Sequence, residues 1–599
     1  MSIGTIHAAS INLPRKDHGP PIVFPYPLHL CYVDQLTIIE GALNAAPSDA
    51  EPGMMPAWTP RPVHEAPRAA RKRERMKKFS IGSAIGLLLT ACTVPALAAT
   101  PSPQGHGSKA ASAPAPKAHS SITHGVVTVE GHRISYEAKS GVLILKNKDG
   151  KPIASMSYFA YFKSGVHNEQ NRPITFFYNG GPGSSTVWLH MLAFGPKRVV
   201  VGSGTLTPPA PYKLVNNNYS LLDATDEVFV DAPGTGFGRV IGKSHGGVGK
   251  PSDVYGIDPD AHAFEQFITE FLTRNNRWNS PKFLYGESYG TTRSAVLANL
   301  LERDAAVGLN GVVLQSSILN FNINLDFPEI DPGINIGYAL GLPSYTATAW
   351  YHHRIPNQPQ QLKPLLAQVE QFAMGPYLSA LDEGSQLDPS VKQQIAERLH
   401  EYTGLPTAYI LKANLRVRGG QFRQELLGDD DVTGRLDSRY SGPAMDPMGE
   451  SATYDPLDSA IDAPTVAEFN SYVRNTLHFG QNLKYKTEIN VFRDWSWKHM
   501  QPGVPFQLPF TPNVMPDLAS AMKYNPDLKV MLLGGYFDLG TAFYAAEYEM
   551  HELTIPEKLQ KNISYKFFPS GHMIYLNPKV LKPLHDRVAK FIESNYTAQ

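Results

Sequence analysis

The stretch Lys282-Phe-Leu-Tyr-Gly-Glu-Ser-Tyr-Gly290 decides the fold prediction, and it lies near the middle of a 599-residue chain. Residues 282–285 have the apolar character of a short buried strand, and residues 293–303 have the spacing of a helix. Between them, residues 286–290 match Gly-x-Ser-x-Gly, a pattern that holds a serine on a strained turn between strand and helix. The pattern alone arises by chance, but this strand-turn-helix setting is the context it requires. Ser288 is therefore a candidate nucleophile.

Strand and helix patterns alternate on both sides of this stretch. Residues 141–150 and 153–162 predict a hairpin, and apolar runs at 173–178 and 227–231 each end in a Gly-rich loop. Residues 260–274 place several aromatic side chains on one helical face, and residues 311–315 read as a further buried strand. Such alternation predicts a largely parallel sheet.

The pattern changes after Phe321. Residues 360–372, 389–402 and 465–477 have amphipathic helical spacing, and strand patterns return only at 529–533 and 563–567. We therefore predict an α/β-hydrolase fold with a mostly parallel central sheet. Its core would comprise residues 123–321 and 520–599, interrupted by a mostly helical cap insertion at 322–519. A cap there would cover the loops at the strand ends, where α/β folds place their sites.

Composition excludes several classes of protein. Hydrophobic residues make up 42% and charged residues 18% of the chain, which is typical of a globular protein. The formal net charge is zero, so a nucleic-acid partner is not expected. The two cysteines, Cys31 and Cys92, both precede the predicted folded part, which therefore has no disulfide framework.

Residues 76–98 have the order of regions found in an export signal. Two lysines precede a short apolar run and then small residues, and the run is too short to span a bilayer. Cleavage after Ala98 would release a periplasmic or secreted protein. Cleavage before Cys92, in a lipobox-like context, would instead give a lipid anchor on a membrane surface. The sequence leaves both sites open.

The segments around this signal have no packing pattern. Residues 1–75 are rich in Pro and Arg, and export signals stand at the N-terminus, so we interpret these residues as a disordered, non-native upstream extension. Residues 99–122 are rich in Ala, Pro and Ser and predict a flexible linker. Folded sequence is expected from about Thr123.

A serine nucleophile needs a base and an orienting acid, in the chain order Ser, Asp or Glu, His. Asp538 follows the predicted strand 529–533, and His572 follows the predicted strand 563–567. Both are in loops just past the last strands, where separate segments can converge. His551 and His585 lie in helix-like sequence, and we interpret them as surface histidines.

The Gly-rich loop at 179–185 offers backbone N–H groups without side-chain obstruction. Together with the N–H of Tyr289, the residue after the nucleophile, it suits an oxyanion hole. A tight structural turn and a phosphate cradle are the alternatives. The loop lacks the Lys-Ser/Thr ending of a phosphate-binding loop, which disfavours the second alternative.

Several motifs together resemble the serine carboxypeptidases. Phe177-Tyr-Asn-Gly-Gly-Pro-Gly-Ser-Ser185 is similar to their Gly-rich loop, residues 286–290 to their nucleophile motif, and Asp231-Ala-Pro-Gly-Thr-Gly-Phe237 to a further signature. Phe537-Asp538 and Gly571-His572-Met573 fall where that family keeps its acid and its base. The resemblance covers roughly residues 123–599, including the insertion, and implies an exported bacterial member of the family.

The resemblance implies release of C-terminal residues from peptides through an acyl-enzyme, without a cofactor or metal. Ser288 would attack, His572 would carry the proton, and Asp538 would orient the imidazole. It further implies two substrate-binding groups: an oxyanion hole from Gly181 and Tyr289, and a clamp for the substrate carboxylate from Asn179, Gly180 and Glu287. A carboxyl such as Glu287 can hydrogen-bond a carboxylate only if one of the two is protonated, so this affinity should weaken as pH rises.

The chain departs from the family pattern at three positions. Phe177 stands where the family usually has Trp, Ser184 where it has Cys, and Ala193 where it often has an acidic residue that hydrogen-bonds the clamp glutamate. The last departure bears on carboxypeptidase specificity more than on hydrolysis.

Other readings follow from the same residues. An esterase or acyltransferase would use the same Ser, Asp and His, and a non-catalytic exported binding protein is a further alternative. Asp429, Asp431 and Thr433 faintly resemble a calcium loop, but Tyr440 stands where its bidentate Glu is needed. We interpret that segment as a solvated acidic turn, and we find no HExxH zinc motif.

Overall fold

The protein is described here by a computed structural model that covers residues 117–326, 328–329, 331–428, 430–507 and 511–596. The predicted extension at 1–75, the predicted export signal with Cys92 and Ala98, and most of the predicted linker lie outside these residues. Within them, no helix is both long and apolar enough to cross a membrane.

The strands of the described residues follow one another along most of the chain. They are β1 (His119–Val129), β2 (His132–Lys146), β3 (Pro152–Lys163), β4 (Ile174–Tyr178), β5 (Lys197–Val199), β6 (Leu214–Asn216), β7 (Asp226–Val230), β8 (Arg239–Val240), β9 (Lys282–Glu287), β10 (Gly311–Gln315), β11 (Asp431–Thr433), β12 (Ser441–Pro443), β13 (Lys529–Gly535) and β14 (Ile563–Phe568).

The helices begin after β8 and continue to the C-terminal end of the described residues. They are α1 (Ile257–Arg274), α2 (Tyr289–Arg303), α3 (Ile336–Tyr351), α4 (Leu362–Phe372), α5 (Leu378–Glu383), α6 (Pro389–Thr403), α7 (Thr407–Lys412), α8 (Gly419–Glu425), α9 (Pro456–Asn475), α10 (Met515–Tyr524), α11 (Phe543–His551), α12 (Glu557–Gln560) and α13 (Pro578–Ser594). Two π-helical segments occur at Leu189–Phe194 and Ala373–Tyr377.

One sheet organises the core, with the order β1-β2-β3-β7-β4-β9-β10-β13-β14 and β8 paired to β3. The strands from β7 to β14 along this order are all parallel, whereas β1, β2 and β3 form antiparallel pairs that end on β7. The predicted α/β-hydrolase fold with a mostly parallel sheet is confirmed. The carboxyl ends of β9, β10, β13 and β14 therefore meet at one edge of the sheet.

Alternating side chains of the strands feed two hydrophobic clusters, one on each face of the sheet. On β4, Phe176 packs in the cluster that contains α1 and α2, while its neighbour Phe177 packs in the cluster that contains α13. This period of two is what a fully buried parallel strand requires. The core thus covers both faces and holds the strand ends in fixed positions.

The folded chain begins slightly earlier than the sequence predicts. The residues from His119 to Ile122 belong to β1 and pair with the segment from Lys139 to Val142 of β2, although the linker was expected to run to residue 122. This end of the edge strand is mostly exposed, and three of its four residues are polar, so its composition resembles that of a linker.

Contacts divide the predicted insertion at 322–519 into two parts. Helices α3 to α8 form a hydrophobic cluster of their own, around Tyr345, Val369 and Phe422. In contrast, Phe469 and Tyr472 of α9 pack in the α13-side cluster of the sheet, and Trp495 packs in the other cluster. Only the first part is a separate cap; the second returns to the core.

Candidate active site

Ser288 lies on a strained turn between β9 and α2. Its backbone has φ 62° and ψ −133°, a conformation that L-residues adopt only where the surroundings enforce it. Gly286 and Gly290 allow the strand and helix to approach, since a Cβ on Gly286 would lie 2.2 Å from the carbonyl oxygen of Gly290. The Ser288 N–H donates to the carbonyl of Gln315 at the end of β10, at 3.0 Å. The serine is therefore held at the carboxyl edge of the sheet, and it is half-buried.

Asp538 and His572 meet at this edge, in the loops after β13 and β14. His572 Nδ1 lies 2.8 Å from Asp538 Oδ2, and both side chains are buried. The N–H groups of Gly540 and Thr541 donate to the other oxygen, Oδ1, at 2.9 and 3.0 Å. The Thr541 hydroxyl lies 2.8 Å from Asp538 Oδ2 and 3.1 Å from His572 Nδ1. The carboxylate is thus fixed against the imidazole.

The loop that carries His572 is attached to the same point as Ser288. The carbonyl oxygen of His572 accepts the Ser316 hydroxyl at 2.7 Å and the Gln315 side-chain amide at 3.2 Å. Since Gln315 also accepts the Ser288 N–H, one dipeptide at the end of β10 anchors both residues. With Nδ1 turned to Asp538, Nε2 is the nitrogen available to a nucleophile.

Burial and the charge of Asp538 act in opposite directions on the pKa of His572. Burial alone would lower the pKa of His572, but the charge and hydrogen bond of Asp538, with Glu287 nearby, raise it above its usual value. A carboxylate beside Nδ1 therefore favours the imidazolium, the form that appears when this side chain accepts a proton.

Gly180 lies directly against the start of α2. A Cβ at Gly180 would be 2.4 Å from the Tyr289 nitrogen and 2.8 Å from the Gly290 nitrogen, so no side chain fits there. Gly181 has φ +105°, a conformation that strongly favours glycine. As the first residue of α2, Tyr289 has an N–H without a partner inside the helix. The predicted oxyanion donors Gly181 and Tyr289 are thus brought to the same place.

The predicted clamp residues Asn179 and Glu287 are in direct contact. Asn179 Nδ2 donates to Glu287 Oε1 at 2.6 Å, and the Asn179 carbonyl accepts a hydrogen bond of 2.8 Å from Arg293, itself paired with Asp260 at 2.6 Å. The other oxygen of Glu287, Oε2, accepts the amide of Gln315 at 2.6 Å. Both oxygens are therefore engaged, and the Glu287 side chain is buried.

Burial raises the pKa of Glu287 to about 7, against the opposing effects of the His572 charge and of hydrogen-bonding groups on Tyr575 and Asn179. The Tyr575 hydroxyl is close to Glu287 but lacks a hydrogen bond of good geometry within the described residues. A carboxyl that titrates near neutrality in a buried site is typical of functional positions.

A segment of the insertion also supports the acid and the base. The N–H of His572 donates to the carbonyl of Leu436 at 2.6 Å, and the N–H of Leu539 donates to the carbonyl of Arg435 at 2.9 Å. Asp437 accepts the N–H of Gly571 at 3.3 Å and pairs with Arg439 at 2.5 Å, both side chains being buried. We call residues 435–439 the buttress segment.

The interpretation of this region as a solvated acidic turn is wrong. Residues 431–433 and 441–443 pair as β11 and β12, and Thr433 and Asp437 are fully buried. The segment is polar in sequence, but its polar groups form hydrogen bonds to loops far away in the chain and are not solvated. Gln315, Thr541 and the buttress segment were all missed, and only Thr541, a polar residue three positions after Asp538, left a signal.

The rival histidines take no part in this arrangement. His551 is exposed at the end of α11, as predicted. His585 is buried, contrary to the prediction. Its Nε2 lies 3.1 Å from a carboxylate oxygen of Asp223, and its Nδ1 lies 3.1 Å from one of Asp586, so both ring nitrogens have partners without solvent.

One group of possible metal ligands occurs in the described residues. The ligand atoms of Glu130, His585 and Asp586 lie within 4.8 Å of one another. The Lys582 ammonium pairs with both carboxylates there, so a cation already occupies the position.

Comparison with known proteins adds the family. Residues 131–352 match the model of the serine carboxypeptidase family. Over this segment, which is less than half of the chain, the protein is similar to the serine carboxypeptidases. The matched segment contains Asn179, Gly181 and Ser288, whereas Asp538 and His572 lie beyond it.

Curated relatives in this family come from Arabidopsis thaliana. Serine carboxypeptidase-like 5 is 26% identical over 203 residues, which are 33% of this chain and 39% of the relative. Serine carboxypeptidase-like 7 is 28% identical over 187 residues, which are 31% of this chain and 40% of the relative. The matches thus span about two fifths of the relatives' length.

Solved structures are similar at low sequence identity. The Saccharomyces cerevisiae prohormone-processing carboxypeptidase Kex1(delta)p has a TM-score of 0.48 and 16% identity, covering 77% of this chain and 91% of that chain. A thermostable carboxyl esterase from Bacillus coagulans has a TM-score of 0.31 and 13% identity, covering 76% of this chain and 98% of that chain.

The three departures from the family pattern lie close to the site. Phe177 is buried against Phe229 and Tyr285. The Ser184 hydroxyl accepts the indole N–H of Trp188 at 3.2 Å. Ala193 is buried in the π-helical segment after the Gly-rich loop. Ala193 has no carboxyl to offer to Glu287, whose Oε2 accepts the side-chain amide of Gln315.

Proposed function

We propose that the protein is a serine-type carboxypeptidase that releases C-terminal residues from peptides through an acyl-enzyme on Ser288. One observation carries the proposal: the loops of Ser288 and His572 are hydrogen-bonded to the same dipeptide, Gln315-Ser316, with Asp538 on the far side of the imidazole. The match of residues 131–352 to the serine carboxypeptidase family model supports the choice of peptides as substrates.

The mechanism follows from this arrangement. His572 Nε2 accepts the proton of the Ser288 hydroxyl as its oxygen attacks the scissile carbonyl, and Asp538 stabilises the imidazolium through Nδ1–H. The N–H groups of Gly181 and Tyr289 donate to the oxyanion of the tetrahedral intermediate. The imidazolium then protonates the leaving amine. His572 next accepts a proton from a water molecule that attacks the acyl-enzyme, and it returns the proton to Ser288 as the peptide acid leaves.

Asn179, Gly180 and Glu287 form the proposed clamp for the substrate's free carboxylate. Protonated Glu287 donates to that carboxylate, whereas ionised Glu287 repels it. Because burial raises the pKa of Glu287 to about 7, the clamp should operate below neutrality and fail as pH rises past that value.

An esterase or acyltransferase is the second candidate, and the clamp itself favours it. Both oxygens of Glu287 already accept amide N–H groups, and Ala193 supplies no further carboxyl. A site that does not recognise a free carboxylate would still activate Ser288.

A pair of substrates separates the two candidates. A blocked dipeptide with a free C-terminal carboxylate and its amide would be offered to the full-length protein near about pH 5 and near neutrality, around the range where carboxyls titrate. Cleavage of the free acid only, absent from Ser288→Ala, would support the carboxypeptidase. Equal cleavage of both would favour the esterase or acyltransferase. Absence of cleavage, with no labelling of Ser288 by a serine-reactive phosphonate, would leave a binding protein.

Export through residues 76–98, to the periplasm or the outside of the cell, is a separate proposal that the basic, apolar and small-residue order supports. Intact mass of protein from the native host tests it. A start at Ala99 or a lipid-modified Cys92 is expected, and a chain that retains residues 1–98 would contradict it.

A further inference from the structure

Gln315 occupies the centre of the site without a role in the proposed mechanism. It is the last residue of β10, lies opposite Glu287 in the parallel register, and is fully buried. Its backbone carbonyl accepts the Ser288 N–H, and its side-chain amide reaches Glu287 and the carbonyl of His572. One residue, through its backbone and its side chain, thus joins the nucleophile, the base and the clamp.

The orientation of this amide is fixed by its neighbours. The nitrogen faces two acceptors, Glu287 Oε2 at 2.6 Å and the His572 carbonyl at 3.2 Å, while the oxygen accepts the Tyr285 hydroxyl at 2.5 Å. Reversal of the amide would set oxygen against two oxygens. The group that meets Glu287 is therefore a donor.

Glu287 is surrounded by groups with different behaviour on titration. The amides of Asn179 and Gln315 donate at any pH. The Tyr575 hydroxyl is close by, and the charges of His572 and Asp538 act on the carboxyl with opposite signs. Glu287 is therefore the carboxyl that titrates within the clamp, with no second carboxyl to share its proton.

We propose that Gln315 is the specificity-determining partner of Glu287, whose amide sets the upper pH limit for preferring a substrate with a free C-terminal carboxylate. The inference rests on the proposed carboxypeptidase function and adds the residue that controls its pH range.

The physical reason is a difference in charge between an amide and a carboxyl partner. With the amide, one proton on Glu287 makes the clamp neutral, so a substrate carboxylate can accept from it. With a carboxyl at position 315, the two groups would share one proton and remain negative, so binding would need a second proton. With an apolar group, the ionised form of Glu287 would lose a donor and titrate at higher pH.

The two substitutions should therefore move specificity in opposite directions. The measured quantity is the ratio of kcat/KM for the free-acid dipeptide to that for its amide, between about pH 4.5 and 8.5, which spans the titration of carboxyls and histidine. In Gln315→Glu this ratio should fall at a pH about one unit lower, which would place it about threefold below wild type at pH 6.5 and close to tenfold below it at higher pH. In Gln315→Leu the preference for the free-acid dipeptide should persist to higher pH than in wild type.

Ser316→Ala is the matched control, since it removes the other hydrogen bond to the His572 carbonyl without touching Glu287. It should slow both substrates equally and leave the pH at which the ratio falls unchanged. A common loss on both substrates in all three variants would overturn the proposal, because Gln315 would then only position the histidine.

Failure of the inference differs from failure of the proposed function. A wild-type ratio above one that falls at the same pH in both Gln315 variants would overturn the role of Gln315 alone. A wild-type ratio of one at every pH would remove the clamp and both proposals. If the variants do not fold, titration calorimetry of the wild-type protein with an N-acyl amino acid provides a second test. The complex should take up at most one proton on binding, and this uptake should rise from pH 6 to pH 8. Uptake of nearly two protons would overturn the single-carboxyl clamp.

Discussion

The two halves of the candidate site are built differently. Asn179 and Gly180 directly follow β4, and Ser288 directly follows the adjacent strand β9. The two motifs contact each other through Asn179 and Glu287 and through Gly180 and the nitrogen of Tyr289. Asp538 and His572 come from neighbouring loops too, but both loops also hydrogen-bond to the buttress segment, about 100 residues earlier in the chain. The nucleophile half is local to the sheet, whereas the acid-base half depends on the insertion.

Asp437→Ala tests that dependence most severely. It removes the partner of buried Arg439 and the acceptor of the Gly571 N–H, and breaking such a pair typically costs about 3–5 kcal/mol of unfolding free energy. Urea denaturation measures the loss, with exposed Asp149→Asn as control. An unchanged stability would show that the insertion merely covers the acid-base half.

Gly180→Ala tests the nucleophile half. The new Cβ would lie 2.4 Å from the Tyr289 nitrogen and obstruct the proposed oxyanion donor. We expect kcat to fall about 10²–10³-fold, as it does when one oxyanion-hole donor is removed. The unfolding free energy should change less than in Asp437→Ala. Gly308→Ala, where a Cβ meets nothing within 4 Å, is the matched control. Equal kcat in the two variants would argue against the oxyanion assignment.

Asp231→Asn tests the buried carboxyl that accepts a hydrogen bond from the residue after the Gly-rich loop. Asp231 accepts the Thr186 N–H at 3.0 Å, the Ser157 hydroxyl at 2.6 Å and the Tyr485 hydroxyl at 2.8 Å, and burial raises its pKa to about 6. The folded state therefore holds more protons than the unfolded state between about pH 4 and 6, and stability falls as pH rises through that range.

The near-isosteric amide removes this titration. Relative to wild type, Asp231→Asn should gain roughly 1–3 kcal/mol of unfolding free energy between about pH 4 and pH 7. Denaturation at both pH values measures the gain, and Asp149→Asn should show none. A constant difference at the two pH values would contradict a raised pKa of Asp231 in the folded protein.

Thr541→Val has the smallest expected effect. It removes the hydroxyl beside Asp538 and His572, which should lower kcat about 3- to 10-fold, the equivalent of one hydrogen bond of ~1 kcal/mol. Thr541→Ser keeps the hydroxyl and should retain most of the activity. If Thr541→Ser loses as much activity as Thr541→Val, retaining the hydroxyl does not preserve activity and the hydrogen-bond explanation fails.

The same contrast explains what the sequence could predict. The strand-turn-helix around Ser288 and the Gly-rich loop have local signatures, because strain and close approach demand particular residues in consecutive positions. The sheet with its parallel centre followed from the alternation of strands and helices. Asp538 and His572 could be named only from chain order and loop position.

Contacts made by backbone groups or across long separations left no such signature. Leu436 supports His572 through its carbonyl, which every residue possesses. In the sequence, Gln315 is only the last residue of a predicted buried strand. The sequence of α9 predicts an apolar helical face but does not indicate that this face packs against the sheet. His585 looked superficial because its partner Asp223 is 362 positions away.

The hydrogen bonds that the carbonyls of Leu436 and Arg435 accept limit how the insertion of this protein can be exchanged. Exchanging the whole insertion for that of a relative, to acquire different substrate pockets, would also exchange the carbonyls that hold the acid and base loops. A transplant confined to α3–α8 would leave residues 435–439 untouched. The boundary of a swappable module therefore lies inside the insertion, before β11, and not at its ends.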